Sequence, residues 1–435
     1  MRAALIRIEA GSAPAAVTVE VPGDKSVTHR AVLLGLLAQG TTHIRRPLRA
    51  EDTRRSLAVA RAFGARVEES AAEWVIESQG LGALREPGVV IDCGNSGTTM
   101  RLAIGMAALV PGLTVLTGDA SLCRRPMRRV TDPLGQLGID AWTRADGGAP
   151  VAVRGGSVHG GRVVLPVASA QVKSALLLAA LGAAGPVTVE EPMATRDHTE
   201  RMLAAQGITV DRGPRGTTIF PGTPSPLTWT VPGDPSSAAF WWAWAALTGS
   251  RVVTEDVLLN PARTGFLRVL RRMGAQVEES VRTNDVEPLG RVAVTGPDRL
   301  SGTTVVAAEV PGLVDELPLV AVLMCRAAGR SEVSGAGELR VKESDRIKAM
   351  GDGLRAMGAD ISDRVDGWVV ERGGELSGAR VDAAGDHRVA MALSVAAAAA
   401  RGPVLLTGAD TVAISYPGFF DAFEAAGAVR VSSVL

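Results

Sequence analysis

Gly64-Ala65-Arg66-Val67-Glu68-Glu69-Ser70 returns with one change as Gly274-Ala275-Gln276-Val277-Glu278-Glu279-Ser280, 210 residues further on. A second string, Val-Pro-Gly-Asp, stands at 21–24 and again at 231–234, at the same offset of 210. Two independent matches at one offset argue for a duplicated half, whereas one match alone is within reach of chance. Outward from Gly64 a finer period emerges. A helix-like stretch ending in Gly and followed by a strand recurs at Gly64, Gly138, Gly207, Gly274, Gly358 and Gly427, at intervals of 74, 69, 67, 84 and 69 residues. Each glycine reads as the left-handed residue that ends a helix, with the strand starting just after it. Helix–Gly–strand junctions are common in any α/β chain. Their near-even spacing is what turns them into six modules.

Each module also carries an earlier helix, at roughly 27–38, 98–109, 171–182, 236–247, 316–327 and 388–399, rich in Ala and Leu. A helix apolar on most faces is buried on most faces. The second helices, such as 51–63 and 262–273, have charged faces and are expected on the outside. The two Val-Pro-Gly-Asp segments mark hinges between the halves, near 20 and 231.

At 435 residues the chain is too long for one core, and an apolar fraction of 46% supplies material for two. Aromatics make up only 3%, which fits poorly with a protein that stacks nucleic-acid bases on rings. The 46 basic and 46 acidic residues cancel, so no net field draws the chain to nucleic acid or a membrane. Any anion site must be local. Cys93, Cys123 and Cys325 are an odd, dispersed set, neither a disulfide framework nor a zinc spacing, and the five histidines form no metal motif. No metal and no cofactor are expected. The opening MRAALIRIEAGSAP is broken by Arg7 and Glu9 and does not read as a signal peptide. The longest apolar stretches, 238–247 and 389–400, are too short to span a bilayer, so a cytoplasmic chain is expected.

Several of the first helices begin in a polar or basic loop with Gly or Pro. Unpaired backbone N–H groups at a helix start attract anions, and a basic side chain in the first turn adds a full charge. GDKSVTHR (23–30) places Lys25 and Ser26 at a helix start and Arg30 a turn on; the bland alternative is Ser26 as N-cap beside two solvated cations. GNSGTTMR (94–101) brings a backbone close to a ligand through Gly94 and Gly97, or forms only a tight turn. It lacks the Gly-Lys-Ser/Thr of a nucleotide-phosphate loop. GDASLCRRPM (118–127) and the two arginines after it are either a solvated face or a partly packed loop. SAQVKS (169–174) offers Ser169 as a cap and Gln171 as a hydrogen-bonding group in the first turn. TRDHTE (195–200) fits the capping box only loosely, because its Thr and Glu are not three apart. In the second half, Asp315 and Glu316 open an apolar helix, Arg340 to Arg346 mixes both signs, and Asp386-His387-Arg388 opens an Ala-rich helix. Acidic groups at helix starts are ordinary dipole partners, whereas arginines oppose the dipole. Arg101 and Arg388 therefore ask for an anion nearby.

Taken together, GDKSVTHR, GNSGTTMR, GDASLCRRPM, SAQVKSALL (169–177), TRDHTE, LRVKESDR (339–346) and DHRVAM (386–391) resemble the EPSP synthase family, in the family's order and over most of the chain. The SAQ and TRDHT forms are similar to a variant bacterial subgroup. The resemblance implies a two-domain inside-out α/β barrel (α/β in class, α+β in its layering), three modules per domain. It assigns 21–231 to one lobe and 1–20 plus 232–435 to a second, discontinuous lobe. It implies transfer of the enolpyruvyl group of phosphoenolpyruvate to the 5-hydroxyl of shikimate 3-phosphate in the cleft between them, by a monomer.

By position, the resemblance gives Lys25, Ser26, Arg30, Ser169, Gln171, Arg196, Asp315 and Lys342 to shikimate 3-phosphate. It gives Lys25, Gly97, Arg125, Gln171, Arg346 and Arg388 to phosphoenolpyruvate. The catalytic set is Lys25, Asp315 and Glu343. The charges are sensible: like charges at ~4 Å repel by about 4 kcal/mol at an effective dielectric near 20, and converging cations offset that. Three departures stand out. Ala170 replaces the second Ser of the commoner SSQ, Glu338 stands where the commoner form has Asn, and the Ile414-Ser415-Tyr416-Pro417 segment lacks a preceding Lys. Gly97 is the residue the family associates with room for glyphosate, expected as an inhibitor. UDP-N-acetylglucosamine enolpyruvyl transferase has Lys-Asn in the first loop and a Cys five residues before its loop Arg; here those positions are Lys25-Ser26 and Ala120. A non-catalytic anion-binding repeat protein would need the cations but not Asp315 and Glu343. RNA-end cyclisation on a similar fold is disfavoured by the balanced charge.

Overall fold

The computed structural model describes residues 5–214 and 216–434; the first four residues of the expected 1–20 segment lie outside it. Among the described residues there are six four-stranded sheets and one two-stranded pair. Every four-stranded sheet repeats one pattern, a parallel pair followed by two antiparallel pairs. In one, Thr228–Thr230 runs parallel to Gln39–Arg45, which pairs antiparallel with Glu73–Gln79, which pairs antiparallel with Arg66–Glu69. In another, Ala16–Val19 runs parallel to Arg251–Leu258, followed antiparallel by Pro288–Thr295 and Gln276–Asn284. The six modules read from the glycine spacing are therefore six copies of one supersecondary unit.

The first helices run Lys25–Leu37, Gly97–Ala107, Ala170–Ala179, Pro235–Thr248, Leu317–Met324 and His387–Ala397. The second run Glu51–Ala62, Arg128–Gly135, His198–Ala205, Gly265–Arg272, Arg346–Ala356 and Phe419–Ala425. After the second helices, Gly64, Gly138, Gly207, Gly274, Gly358 and Gly427 all take positive φ, between 70° and 106°, where a side chain would be strained.

The chain divides into two compact units, Gly23–Pro232 and Met1–Pro22 with Gly233–Leu435. In the first, Asp24 caps the helix from Lys25 by accepting from the Val27 amide at 2.8 Å. The sequence reading offered Ser26 for that role. Asp24 takes it because its carboxylate already sits at the N-cap, which leaves the Ser26 hydroxyl inside the first turn. In the second unit Asp234 repeats the cap, accepting from the Ser236 amide at 2.8 Å. The first helices form the cores. Gly105 lies so close to the Ala170–Ala179 helix that a Cβ there would sit 2.1 Å from the Ala175 carbonyl oxygen. In the second unit Trp241 stacks on Phe423 at 3.9 Å between ring centroids, and its Nε1 donates to the Tyr416 hydroxyl at 3.1 Å.

The second helices are only partly outside. Glu51, Arg54 and Arg61 face water, but Asp52, Thr53 and Ser56 of the same helix are buried. The sequence pattern did not distinguish an acid turned inward to hold a cation from one turned to solvent. Among the described residues no helix is long and apolar enough to cross a membrane.

The close helix contact gives a test. Gly105→Ala should destabilise its unit by about 1–3 kcal/mol through overpacking. Gly135→Ala, where a Cβ meets nothing within 4 Å, should be neutral or stabilising by up to about 1 kcal/mol. Urea-unfolding midpoints that fail to separate the two variants would contradict the packing described.

Candidate active-site residues

In the Gly23–Pro232 unit the candidate cations stand at helix fronts and are held by neighbours. Lys25 Nζ lies 3.1 Å from Asp52 Oδ2, with both side chains largely withdrawn from water. Arg30 is buried: Nε donates to Thr199 Oγ1 at 2.7 Å, Nη2 to Ser174 Oγ at 2.8 Å and Nη1 to the Ser26 carbonyl at 3.0 Å. Its fork thus fastens the helices that begin at Lys25, Ala170 and His198.

Gly97 opens its helix, with Ser96 as cap accepting from the Thr99 amide at 3.2 Å. A Cβ at Gly97 would lie 2.9 Å from Arg125 Nη1. The missing side chain is therefore what lets a guanidinium rest against a helix start, where backbone N–H groups already favour an anion. Arg125 is aimed by a relay. Its Nη2 donates to Asn95 Oδ1 at 2.7 Å, Asn95 Nδ2 donates to Asp119 Oδ2 at 2.6 Å, and Asp119 Oδ1 accepts from the Leu122 amide at 2.7 Å. The anion sought for Arg101 has a side-chain answer: Arg101 Nη1 donates to Gln171 Oε1, and Gln171 Nε2 donates to Thr98 Oγ1 at 2.8 Å. Ser169 caps its helix, accepting from the Val172 amide at 3.5 Å. Arg196 lies half-buried just before the His198–Ala205 helix.

Behind these fronts runs a buried polar chain. His29 Nδ1 meets Ser56 Oγ at 2.8 Å, Ser56 Oγ meets Thr99 Oγ1 at 2.9 Å, and Ser96 Oγ donates to Thr99 Oγ1 at 2.8 Å. Burial first, then the charges of Lys25 and Arg30, hold the imidazole well below its ordinary value of 6.5. The shift favours the neutral imidazole over the charged one beneath the loop.

The second unit gathers Asp315, Glu343, Arg346 and Arg388 around one point. Arg346 is 1% exposed. Its Nε donates to Asp386 Oδ2 at 2.7 Å and its Nη2 to Glu343 Oε2 at 2.6 Å. Its Nη1 lies 3.7 Å from Asp315 Oδ1 and has no hydrogen-bond partner among the described residues. Arg388 Nε approaches the same Asp315 oxygen at 3.6 Å, and its Nη1 donates to the Asp315 carbonyl at 3.1 Å. Asp386, fully buried, caps the Ala-rich helix by accepting from the Arg388 amide at 2.9 Å, and Ser344 Oγ donates to it at 3.2 Å. Burial works against the Arg346 charge, but Asp386 and Glu343 outweigh it and raise the guanidinium above its ordinary value. Lys342 is pulled below the ordinary lysine value by burial, with Glu338 and Asp315 working the other way. Glu338, set aside in the sequence, lies 3.7 Å from Lys342 Nζ.

Sequence reasoning missed Asp52 and Asn95, and it took Asp386 for a dipole partner alone. Each is the group behind a cation. The signal was weak but present for Asn95 and Asp386, which sit in helix-front motifs, whereas Asp52 lies in the first turn of the Glu51–Ala62 helix, outside all of them.

A family model described as EPSP synthase (3-phosphoshikimate 1-carboxyvinyltransferase) matches residues 10–423. The chain is 46% identical over 409 residues to a 3-phosphoshikimate 1-carboxyvinyltransferase of Herpetosiphon aurantiacus, covering 92% of this chain and 95% of the relative. It is 49% identical over 415 residues to the protein of that name from Parasynechococcus marenigrum, covering 93% of each. The solved structure of an EPSP synthase from Acinetobacter baumannii superposes with a TM-score of 0.87 at 39% identity, covering 99% of this chain and 100% of that one.

Two measurements test the buried pairs. Asp386→Asn leaves Arg346 charged without its fully buried carboxylate partner, and should cost about 3–5 kcal/mol of stability to denaturant; a loss under about 1 kcal/mol would deny Asp386 that role. For His29, the folded state binds fewer protons than the unfolded state below the ordinary value of 6.5. Stability present above that pH is lost as pH falls toward the lower folded value, by up to about 1.4 kcal/mol per pH unit. His29→Gln should flatten the pH 5–7 stability slope by that amount, and unchanged slopes would refute the assignment.

Proposed function

This chain belongs to the EPSP synthase family, and on that premise we propose that it transfers the enolpyruvyl group of phosphoenolpyruvate to the 5-hydroxyl of shikimate 3-phosphate, releasing phosphate. The observation that carries the assignment to this chain's own residues is Arg346. It is a buried guanidinium whose Nη1 has a carboxylate at 3.7 Å and no hydrogen-bond partner among the described residues, in a unit that also brings Arg388, Asp315 and Glu343 to that point. Two fixed cations and two carboxylates around one small volume suit an anionic substrate that must gain and lose a proton.

We assign Lys25, Ser26, Arg30, Ser169, Gln171, Arg196, Asp315 and Lys342 to shikimate 3-phosphate. Phosphoenolpyruvate falls to Lys25, Gly97, Arg125, Gln171, Arg346 and Arg388. Arginine forks suit carboxylate and phosphate bidentately. The reaction is addition followed by elimination. The 5-hydroxyl oxygen bonds to C2 of phosphoenolpyruvate and gives its proton to Asp315, while C3 takes a proton from Glu343. The tetrahedral intermediate then breaks its C2–O bond to phosphate, which leaves with the proton that Asp315 had taken, and Glu343 recovers a proton from C3 as the double bond re-forms. Lys25 offsets charge on the oxygens that change. In this reading the lobes are 21–231 and 1–20 with 232–435, and substrate binding expels water from the reacting groups. The reading also has the chain work as a monomer in the cytoplasm, with glyphosate competing for the phosphoenolpyruvate site.

The UDP-N-acetylglucosamine reaction is not favoured, because Ser26 and Ala120 stand where that family has Asn and Cys. Cys123 does not replace it, as its thiol donates to the Gly118 carbonyl at 3.3 Å.

The test is phosphate release from phosphoenolpyruvate with and without shikimate 3-phosphate. Release should require both substrates, and Glu343→Gln and Lys25→Ala should each lower kcat by about 10²–10⁴-fold. Release independent of shikimate 3-phosphate, or undiminished in both variants, would overturn the proposal. Gly97→Ala, whose methyl meets Arg125 Nη1 at 2.9 Å, should raise the KM for phosphoenolpyruvate and the inhibition constant of glyphosate together. A change in neither would count against that site.

A further inference from the structure

Lys173 is an ammonium buried in the first unit that neither the fold nor the reaction above uses. Its Nζ lies 2.8 Å from Glu191 Oε1 and 2.7 Å from Glu200 Oε1, and the three side chains are 3%, 10% and 2% exposed. Burial works against its charge, yet Glu200 and Glu191 outweigh that and hold the lysine above its ordinary value. One ammonium against two carboxylates leaves a net negative charge. Such a cluster repels an anionic substrate, so Lys173 is not a substrate-binding cation.

What the cluster holds is a loop. Glu191 Oε1 also accepts from the Thr195 amide at 3.1 Å, and its Oε2 accepts from Thr195 Oγ1 at 2.6 Å. Both oxygens of one carboxylate are thus spent on Lys173 and on the residue immediately before Arg196. On the far side, Glu200 belongs to the helix that presents Thr199, the hydroxyl that accepts from Arg30 Nε at 2.7 Å. Lys173 stands on the Ala170–Ala179 helix next to Ser174, which accepts from Thr199 Oγ1 at 2.7 Å. Lys173 and Ser174 of the SAQVKS motif, Thr195, Thr199 and Glu200 of TRDHTE, and Glu191 and Arg30 therefore belong to one polar lattice, with Arg196 next in the chain to its Thr195.

We propose that Lys173 is a positioning residue: through Glu191 and Glu200 it fixes both ends of the 195–200 segment, and so sets where Arg196 and Arg30 meet the phosphorylated substrate. This rests on the reading of Arg196 and Arg30 as shikimate 3-phosphate ligands. Removing the ammonium would leave two buried carboxylates facing each other, and their repulsion would release Thr195.

The experiment compares wild type, Lys173→Met and Lys173→Arg, with Thr195→Val as a variant that cuts only the hydroxyl tether should Lys173→Met fail to fold. Lys173→Met should raise the KM for shikimate 3-phosphate by about tenfold or more, with the KM for phosphoenolpyruvate changed less than about threefold. Lys173→Arg should recover most of that loss, and Thr195→Val should shift the same KM in the same direction by a smaller factor. Independently of turnover, hydrogen exchange at the Thr195 amide should accelerate at least about tenfold in Lys173→Met and stay slow in Lys173→Arg. Equal change in both KM values, no rescue by Arg, or unchanged Thr195 exchange would each overturn the proposal. Wild type that releases no phosphate would instead defeat the reaction assigned above, while the exchange comparison still judges the lattice.

Discussion

A guanidinium taken out of water needs a counter-charge before it can serve a substrate. Arg346 meets that constraint with Asp386 at 2.7 Å and Glu343 at 2.6 Å, and only its Nη1 is left without a hydrogen bond among the described residues. Desolvating an ion costs several kcal/mol, and an excellent pair with further hydrogen bonds offsets it. The helix from His387 depends on the same carboxylate, because Asp386 is its N-cap. One acid thus fixes a helix start, a buried cation and, through them, the neighbouring Arg388. The other unit applies the same rule with different partners: Asp52 for Lys25, and Asn95 with Asp119 behind Arg125.

This arrangement explains why the chain carries no net charge and yet handles anions. Lys25 and Arg346 have carboxylates at home, and the 46 basic and 46 acidic residues cancel, so the protein has no net long-range positive field. The residual attraction is short-ranged and directional. It comes from N–H groups whose other hydrogen bonds are already made, and from helix starts whose backbone donors point the same way. Preorganisation of this kind costs no reorganisation when the substrate arrives, which is where electrostatic catalysis gains most of its effect.

Much of the fold was legible in the sequence because duplication writes itself in spacing. Gly64 and its five counterparts each demand a positive φ, and that demand survives divergence better than any side-chain pattern. The buried first helices were legible from composition alone, since Ala- and Leu-rich faces leave no outward surface. The inner groups were harder. Asp52 reads like any acid in a first turn, and only its 3.1 Å approach to Lys25, 27 residues earlier in the chain, distinguishes it. Arg101 looked like an anion ligand because it opposes the helix dipole, whereas Gln171, 70 residues away, is its partner. Lys173 drew no reading of its own and Glu200 only a loose capping box, yet the fold brings them within 2.7 Å. Contacts between distant motifs carry no local period, so a single sequence cannot display them.

The account stands or falls on what the unsatisfied edge of Arg346 is for. A crystal structure with shikimate 3-phosphate and a non-reacting phosphoenolpyruvate analogue tests it most directly. An anionic oxygen of the analogue within hydrogen-bond distance of Arg346 Nη1, with the Asp386 and Glu343 bonds intact, is the result expected. An analogue bound elsewhere, or an Arg346 that must leave Asp386 to reach it, would contradict the view that these cations are balanced and aimed before the substrate comes.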